Sequence, residues 1–477
     1  MMFQSKAQTA IIAAIAALSS LAHADIITVG PDLGIYDHQT IAAAIGAAAN
    51  NDEIVIEPGL YPENLVIGKQ LTLRRSDTPG TVVISGQNIA RVIEALPGVS
   101  LTLSGLTITQ GSSGNDAGIR VPSGNLIVED CVIEDNHATS VTGGLYSGGS
   151  LTMRNTIVRN NSSPTFAGGV ALKGTGPHLI ENCVFEGNTA GTADTSTHHS
   201  GAISVDLTVG QVVVSDTIFI NNSTTGRGGA VSAINRSVRF DRCIFDSNSA
   251  PRGGAVWISD ADSAEAYNCL FVDNTATGFG GAVFNEQEFE AVNSTFVNNT
   301  DSTDGNTFEG FRSDARTLLF NCIVVNPSPD SHSGTGNYAG FYSLIPEAPT
   351  FPSRDIFKSF NADPSFVDAP AGDFRLAPDS PAIDAGDSFA SGSLNSSIFA
   401  TSQLVDLDAN IRNLDNPSTP NIGVPAWQLN IDLGAYEFQP EPTTGLGCSP
   451  VDLAPPYGVI NFFDVSSFLS QYQQGCP

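Results

Sequence analysis

The chain repeats itself, and a repeat of about 26 residues leaves very few folds open to it. Between Leu106 and Cys322 one short pattern recurs as Cys131-Val-Ile-Glu-Asp-Asn136, Thr156-Ile-Val-Arg-Asn-Asn161 and Cys183-Val-Phe-Glu-Gly-Asn188. It continues as Thr217-Ile-Phe-Ile-Asn-Asn222, Cys243-Ile-Phe-Asp-Ser-Asn248, Cys269-Leu-Phe-Val-Asp-Asn274 and Ser294-Thr-Phe-Val-Asn-Asn299. A second pattern lies between these units, as Gly228-Gly-Ala-Val231, Gly253-Gly-Ala-Val256 and Gly280-Gly-Ala-Val283. Each repeat holds short β-branched or aromatic runs separated by Asn and Gly, with no helical periodicity of any length. Units this short cannot bury an apolar face alone, so they must stack. The expected fold is all-β, a right-handed single-stranded parallel β-helix.

Strand side chains alternate, so the first and third residues of the pattern point one way and the second the other. The third column, Ile133, Val158, Phe185, Phe219, Phe245, Phe271 and Phe296, is expected to stack inside the rod. The first column is Cys, Thr or Ser and fits beside those rings, its five cysteines acting as small buried side chains. Cys243 and Cys269 fall on adjacent coils, and a free stacked pair is favoured over a disulfide. The second column is apolar too, from Val132 to Leu270, which is unexpected for a face in water and implies a cover. The Asn column (Asn136, Asn161, Asn188, Asn222, Asn248, Asn274, Asn299) reads as a structural hydrogen-bonded ladder at turns where Asn tolerates a left-handed backbone. The column before each strand, Asp130 to Asn321, reads the same way.

Lys6, the apolar run Ala10 to Leu18 and Ala22-His23-Ala24 read as a signal peptide over residues 1–24. That run is too short to span a bilayer, and no transmembrane span is expected in the mature chain. The net charge of −29 becomes one unit more negative without Lys6. So acidic a surface repels nucleic acid, which is set aside as a partner. The expected location is secreted, extracellular or cell-surface-associated. Thr40 to Ala49 suits a short N-terminal cap helix over the open rod end, followed by a first coil at Glu53-Ile-Val-Ile-Glu-Pro-Gly-Leu-Tyr-Pro62.

That opening, from Gln39 to Tyr61, resembles the start of pectin-lyase-fold proteins, and the likeness extends over about residues 25 to 340, within a parallel β-helix expected over 25–360. The alternating Gly-Gly-Ala-Val and Phe-x-x-Asn units are similar to the repeats of polymorphic outer-membrane proteins, which are surface adhesins. Asp363-Pro-Ser-Phe-Val-Asp368, Asp373-Phe-Arg-Leu376, Ser380-Pro-Ala-Ile-Asp-Ala-Gly-Asp387 and Asp432-Leu-Gly-Ala-Tyr-Glu-Phe438 resemble the choice-of-anchor Q domain, giving a closing segment over 361–438. Residues 439–447 are a linker by composition. Residues 448–477 look like half of a GC-type dockerin anchor, a small helical tail with an anchoring partner. There the resemblance leaves Asp452, Asn461 and Asp464 as candidate calcium ligands, with Pro455 and Pro456 where further oxygens are expected. Cys448 and Cys476 flank this tail and are expected to staple it as a disulfide.

His198 and His199 sit in the one long coil, between Cys183 and Thr217, and loops inserted into solenoids often carry binding. Arg227 and Arg252, one repeat apart, are the other candidate binding residues. Glu286, Glu288 and Glu290 alternate so as to share one side of a strand. No catalytic residue is assigned. Catalytic coils break symmetry to bring unlike groups together, and most coils here keep one residue type per column. The expectation is therefore a non-catalytic surface protein acting in adhesion or contact with extracellular polysaccharide or another cell-surface component. The alternative is a polysaccharide lyase or glycoside hydrolase with its site near Arg227, Arg252 and the His198-His199 loop.

Overall fold

A computed structural model describes residues 24–32, 34–191, 199–206, 210–234, 237–259, 263–302, 306–310, 315–326, 332–334, 337–345, 355–387, 405–412 and 431–439. The signal peptide, His198, the calcium candidates Asp452, Asn461 and Asp464, and the Cys448–Cys476 pair lie outside the described residues.

Among the described residues the chain winds into four parallel sheets that run the length of a rod. Sheet I has 14 strands, from Ile26–Val29 to Asp355–Phe357. Sheet II has 11, from Gly59–Tyr61 to Ile323–Val325. Sheet III has eight short ones, from Ser112–Ser113 to Thr300–Asp301, and sheet IV has 11, from Leu65–Ile67 to His332–Gly334. One coil visits them in order, as in Asn125–Glu129, Val132–Glu134, His137–Ala138 and Leu145–Ser147. Successive coils are hydrogen-bonded about 4.8 Å apart.

At the N-terminal end a helix, Ile41–Ala47, covers the first coil, buries Ile41, Ala44 and Ile45, and is capped by the Thr40 hydroxyl. The Glu63 carboxylate adds a second cap, accepting from the amides of Ile41 and Ala42 at 2.9 Å each. No helix among the described residues is long and apolar enough to cross a membrane.

The expected core column is inside. Phe185, Phe219, Phe245, Phe271 and Phe296 stack face to face with centroids 5.1, 4.8, 4.5 and 4.7 Å apart. The Cys, Thr and Ser column is buried beside them, and all five described cysteines are free thiols. It does more than fill space. Thr217 and Ser294 each accept the amide of the residue one coil below, Cys183 and Cys269, at 3.3 and 3.1 Å, and Cys269 Sγ accepts from Cys243 at 3.4 Å.

The seven Asn side chains form an unbroken ladder. Each Nδ2 from Asn136 to Asn274 donates to the Oδ1 of the next Asn at 2.8–3.0 Å. The left-handed backbone expected of these residues belongs to the residue before each one: Asp135, Asn160, Gly187, Asn221, Ser247, Asp273 and Asn298 all have positive φ. The reason is geometric. The ladder Asn must aim its amide inward, so the turn's reversal falls on its exposed neighbour. The column before each strand does adopt positive φ, from Asp130 through Asn182 to Asn321.

The apolar second column has a cover at its C-terminal end. The outward positions of sheet II read Leu270, Thr295 and Ile323 in one column and Val272, Val297 and Val325 in the other. Phe374, Ala435 and Tyr436 pack on Leu270, Val272 and Val297, while Leu376, Ala382, Ile383 and Leu433 pack on Ile323. One coil set earlier the second of these columns is Glu134, Arg159 and Glu186, and no such cover is needed.

Polar side chains fix this closing segment. Arg412, fully buried, donates to Asn268 Oδ1 at 2.9 Å and to the Gly434 carbonyl at 2.8 Å, and lies 3.5 Å from Glu437. Asp384, Asp406, Asp432 and Glu437 are buried with it. Three of their carboxylates accept backbone amides: Asp432 from Asp384 and Phe438, Glu437 from Asp432, and Asp406 from Glu437. The Asn321 side chain clasps Asp387 through both its backbone groups, at 2.8 and 3.1 Å.

Candidate functional site

The outward face of sheet IV gathers several of the contacts between cations and aromatic rings. Its outward column reads Glu94, Arg120, Tyr146, Ala171, Ser204, Ser232, Trp257 and Phe284 in register. Each of the last Gly-Gly-Ala-Val units places its following residue, Ser232, Trp257 or Phe284, on this face. Arg227 and Arg252 precede the glycines, and Gly228 and Gly253 turn with φ of 75° and 62°, a backbone favoured by glycine.

That turn folds each arginine back over the next ring. The Arg227 guanidinium lies 4.8 Å from the Trp257 ring centre and Arg252 lies 5.4 Å from that of Phe284. The two arginines are themselves paired by a parallel bridge on adjacent coils. Beneath them Ile234, Trp257 and Phe284 form a separate apolar cluster, with Phe279 at its edge. Both rings are fully buried, so the guanidiniums cap them and keep their polar edges toward water.

Arg227 makes no ion pair with a carboxylate among the described residues. Elsewhere arginines are neutralised across coils: Arg74 by Glu53, Arg154 by Glu129 and Glu181, Arg159 by Glu134, Arg242 by Asp216. Burial, then the Arg252 charge, lower the Arg227 pKa, and Glu286 opposes them. Arg227 is thus a cation with no carboxylate paired to it among the described residues, on a strongly acidic molecule. It can accept an anionic or hydroxyl-rich group through forked N–H donors.

His199 stands one coil below. Its carbonyl accepts the Arg227 amide at 3.0 Å, and its side chain is buried against Gly226. The structure thus brings His199, Arg227 and Arg252 together, with His199 as a packing element rather than an exposed ligand. Among the described residues no group of three His, Cys, Asp or Glu side chains is placed to hold a metal. The three alternating glutamates separate: Glu288 and Glu290 share the outward side of strand Glu288–Val292, while Glu286 sits in the preceding turn and accepts from Ser259 at 2.9 Å. Trp257 and Phe284 went unremarked as sequence. Their signal was the residue after each Gly-Gly-Ala-Val.

Comparison with known proteins agrees with the coil geometry. Residues 78–271 match the family model described as a right handed beta helix region, and residues 268–286 match the Chlamydia polymorphic membrane protein repeat. A curated protein, the probable autotransporter YfaL of Escherichia coli (strain K12), is 29% identical over 157 residues. That match covers 29% of this chain and only 12% of YfaL. Among solved structures, pectate lyase Pel9A aligns with a TM-score of 0.44 at 13% identity, over 88% of this chain and 98% of that one. XylC in complex with xylose aligns with a TM-score of 0.43 at 10% identity, over 72% and 87%. In fold, the chain is a right-handed parallel β-helix.

Proposed function

We propose that the protein is a secreted, surface-associated β-helix that contacts extracellular polysaccharide along sheet IV and does not cleave it. The observation that carries this reading is the Arg227–Arg252 pair, held over Trp257 and Phe284 with no carboxylate paired to Arg227. Tyr146 under Arg120 at 5.8 Å and Phe166 under Lys173 at 4.1 Å add cation–ring contacts toward the N-terminal end, where Arg120 is paired with Glu94 and Asp116 and Lys173 with Asp206. A polymer lying parallel to the rod would meet these groups coil after coil. The similarity to an autotransporter and to polymorphic membrane protein repeats supports placement at a cell surface. The C-terminal tail is then the segment that holds the rod there.

The rival catalytic reading draws on one place where outward columns bring unlike groups together, Arg239, Glu265, Tyr267 and Glu290 on sheet I. Glu290 is only 6% exposed, which argues against its direct contact with a polymer. The test is retention of the mature protein on immobilised polysaccharides. Wild type should be retarded by uronate-bearing polymer, and the Arg227→Ala/Arg252→Ala double variant should lose about tenfold or more in affinity, since charge-assisted hydrogen bonds contribute about 1.5–3 kcal/mol each. Unchanged retention of that variant would remove the assignment.

A further inference from the structure

Sheet I carries a polar column on its outer side, and at one point this column stacks like charges. Val213, Arg239, Glu265, Glu290 and Leu318 follow one another in register on five coils. Glu265 and Glu290 are therefore direct neighbours across one coil spacing, about 4.8 Å. Adjacent ladder positions elsewhere on this sheet alternate in sign, as in Glu129, Arg154 and Glu181.

The surroundings do not neutralise the pair. The Tyr267 hydroxyl donates to Glu265 at 3.3 Å, and the Arg239 guanidinium lies 4.6 Å from the Tyr267 ring centre and 3.8 Å from Asp241. Asp241 is also 3.3 Å from Arg242, which pairs with Asp216. From the next strand Arg316 reaches Glu288 at 2.8 Å. Glu290 itself makes no hydrogen bond and no ion pair among the described residues, although it is 94% buried (6% exposed). An ionised carboxylate in that position would be desolvated, unpartnered and beside a second carboxylate, three costs that one bound proton removes. Burial, then the charges of Glu265 and Glu288, push the Glu290 carboxyl up to about 7, against the pull of Arg316.

We propose that Glu290, buried one coil from Glu265, keeps its proton in the folded rod, and that releasing it loosens the coils from Arg239 to Leu318, making this stretch of the rod a pH-sensitive element. The element lies on a different sheet from the Arg227–Arg252 site and stands or falls independently of carbohydrate binding. The sign is fixed by linkage. The folded chain keeps a proton that the unfolded chain releases near 4.5, so stability falls as pH rises from there to about 7 and then levels off.

The test is equilibrium unfolding of the mature protein from pH 4.5 to 8, for wild type, Glu290→Gln and Glu265→Gln. Relative to Glu290→Gln, the wild-type folding constant should fall by about tenfold per pH unit across this window. Glu265→Gln should move the wild-type inflection to lower pH, which serves if Glu290→Gln does not fold. Parallel curves for wild type and Glu290→Gln, or an inflection unmoved in Glu265→Gln, would overturn the proposal.

Discussion

Asn248 sits mid-ladder, and its truncation gives a quantitative test of what holds the coils in register. Its Oδ1 accepts from the Asn222 amide and from Asn222 Nδ2, both at 3.0 Å, and its Nδ2 donates to the Phe219 carbonyl at 2.9 Å and to Asn274 Oδ1 at 3.0 Å. Asn248→Ala removes all four bonds and leaves the buried Asn222 amide without an acceptor. At a net ~1 kcal/mol per bond, with an added penalty for the orphaned donor, the loss should be about 3–5 kcal/mol. Asn248→Asp should cost more at neutral pH, because it keeps the acceptor but sets a buried charge against two oxygens. Urea unfolding, with amide exchange of the 219–276 region as a local readout, measures both. Asn222→Ala/Asn248→Ala should fall short of additivity by about 1 kcal/mol or more, since the singles share the Asn222–Asn248 bond. A single-site cost below about 1 kcal/mol, or strict additivity, would refute the ladder as a source of stability.

His178 lies 1% exposed in an inward column between Leu151 and Val212, with neither ring nitrogen hydrogen-bonded, and burial lowers its pKa. Its folded pKa is below the unfolded one, so wild-type stability should drop as pH falls below about 6.5. His178→Leu should abolish that drop and add about 1–3 kcal/mol at neutral pH, read by thermal unfolding at pH 5 and 7.5. Phe245→Ala, at the centre of the ring stack, should cost about 3–5 kcal/mol, with Phe245→Leu well below it in calorimetry. Arg412→Ala strands Glu437 in a buried site and should cost about 3–5 kcal/mol, seen as selective protease sensitivity of 363–439 while the coils stay protected. Deleting residues 448–477 should release the protein to the medium without lowering the rod's unfolding temperature; retention at the cell surface would contradict an anchoring tail.

The coils were legible because a solenoid writes its fold locally. A period-two strand beside an Asn turn, repeated seven times, fixes which residues face in before any distance is known. What stayed hidden depends on contacts between distant parts of the chain. The second column, ending at Leu270, announced a buried outer face, but nothing in its spacing said that Phe374 and Tyr436 would cover it. The left-handed residue moved one place, from Asn136 to Asp135, because both readings satisfy the same turn until the amide's direction is seen. Arg227 and Arg252 were marked by their spacing, whereas their rings follow them by 30 and 32 residues and meet them only through the Gly-Gly turn. The alternation of Glu286, Glu288 and Glu290 put Glu290 on one side of a strand; its adjacency to Glu265 and its burial emerge only from the register.

Incubating the purified mature protein with a panel of acidic and neutral polysaccharides tests the central claim most directly, with retention and bond cleavage followed on the same samples. The account predicts retention by acidic polymer that depends on Arg227 and Arg252, with no new reducing ends and no unsaturated-sugar absorbance. Appearance of either product, lost on substitution of Glu265 or Arg227, would contradict it and make the rod an enzyme.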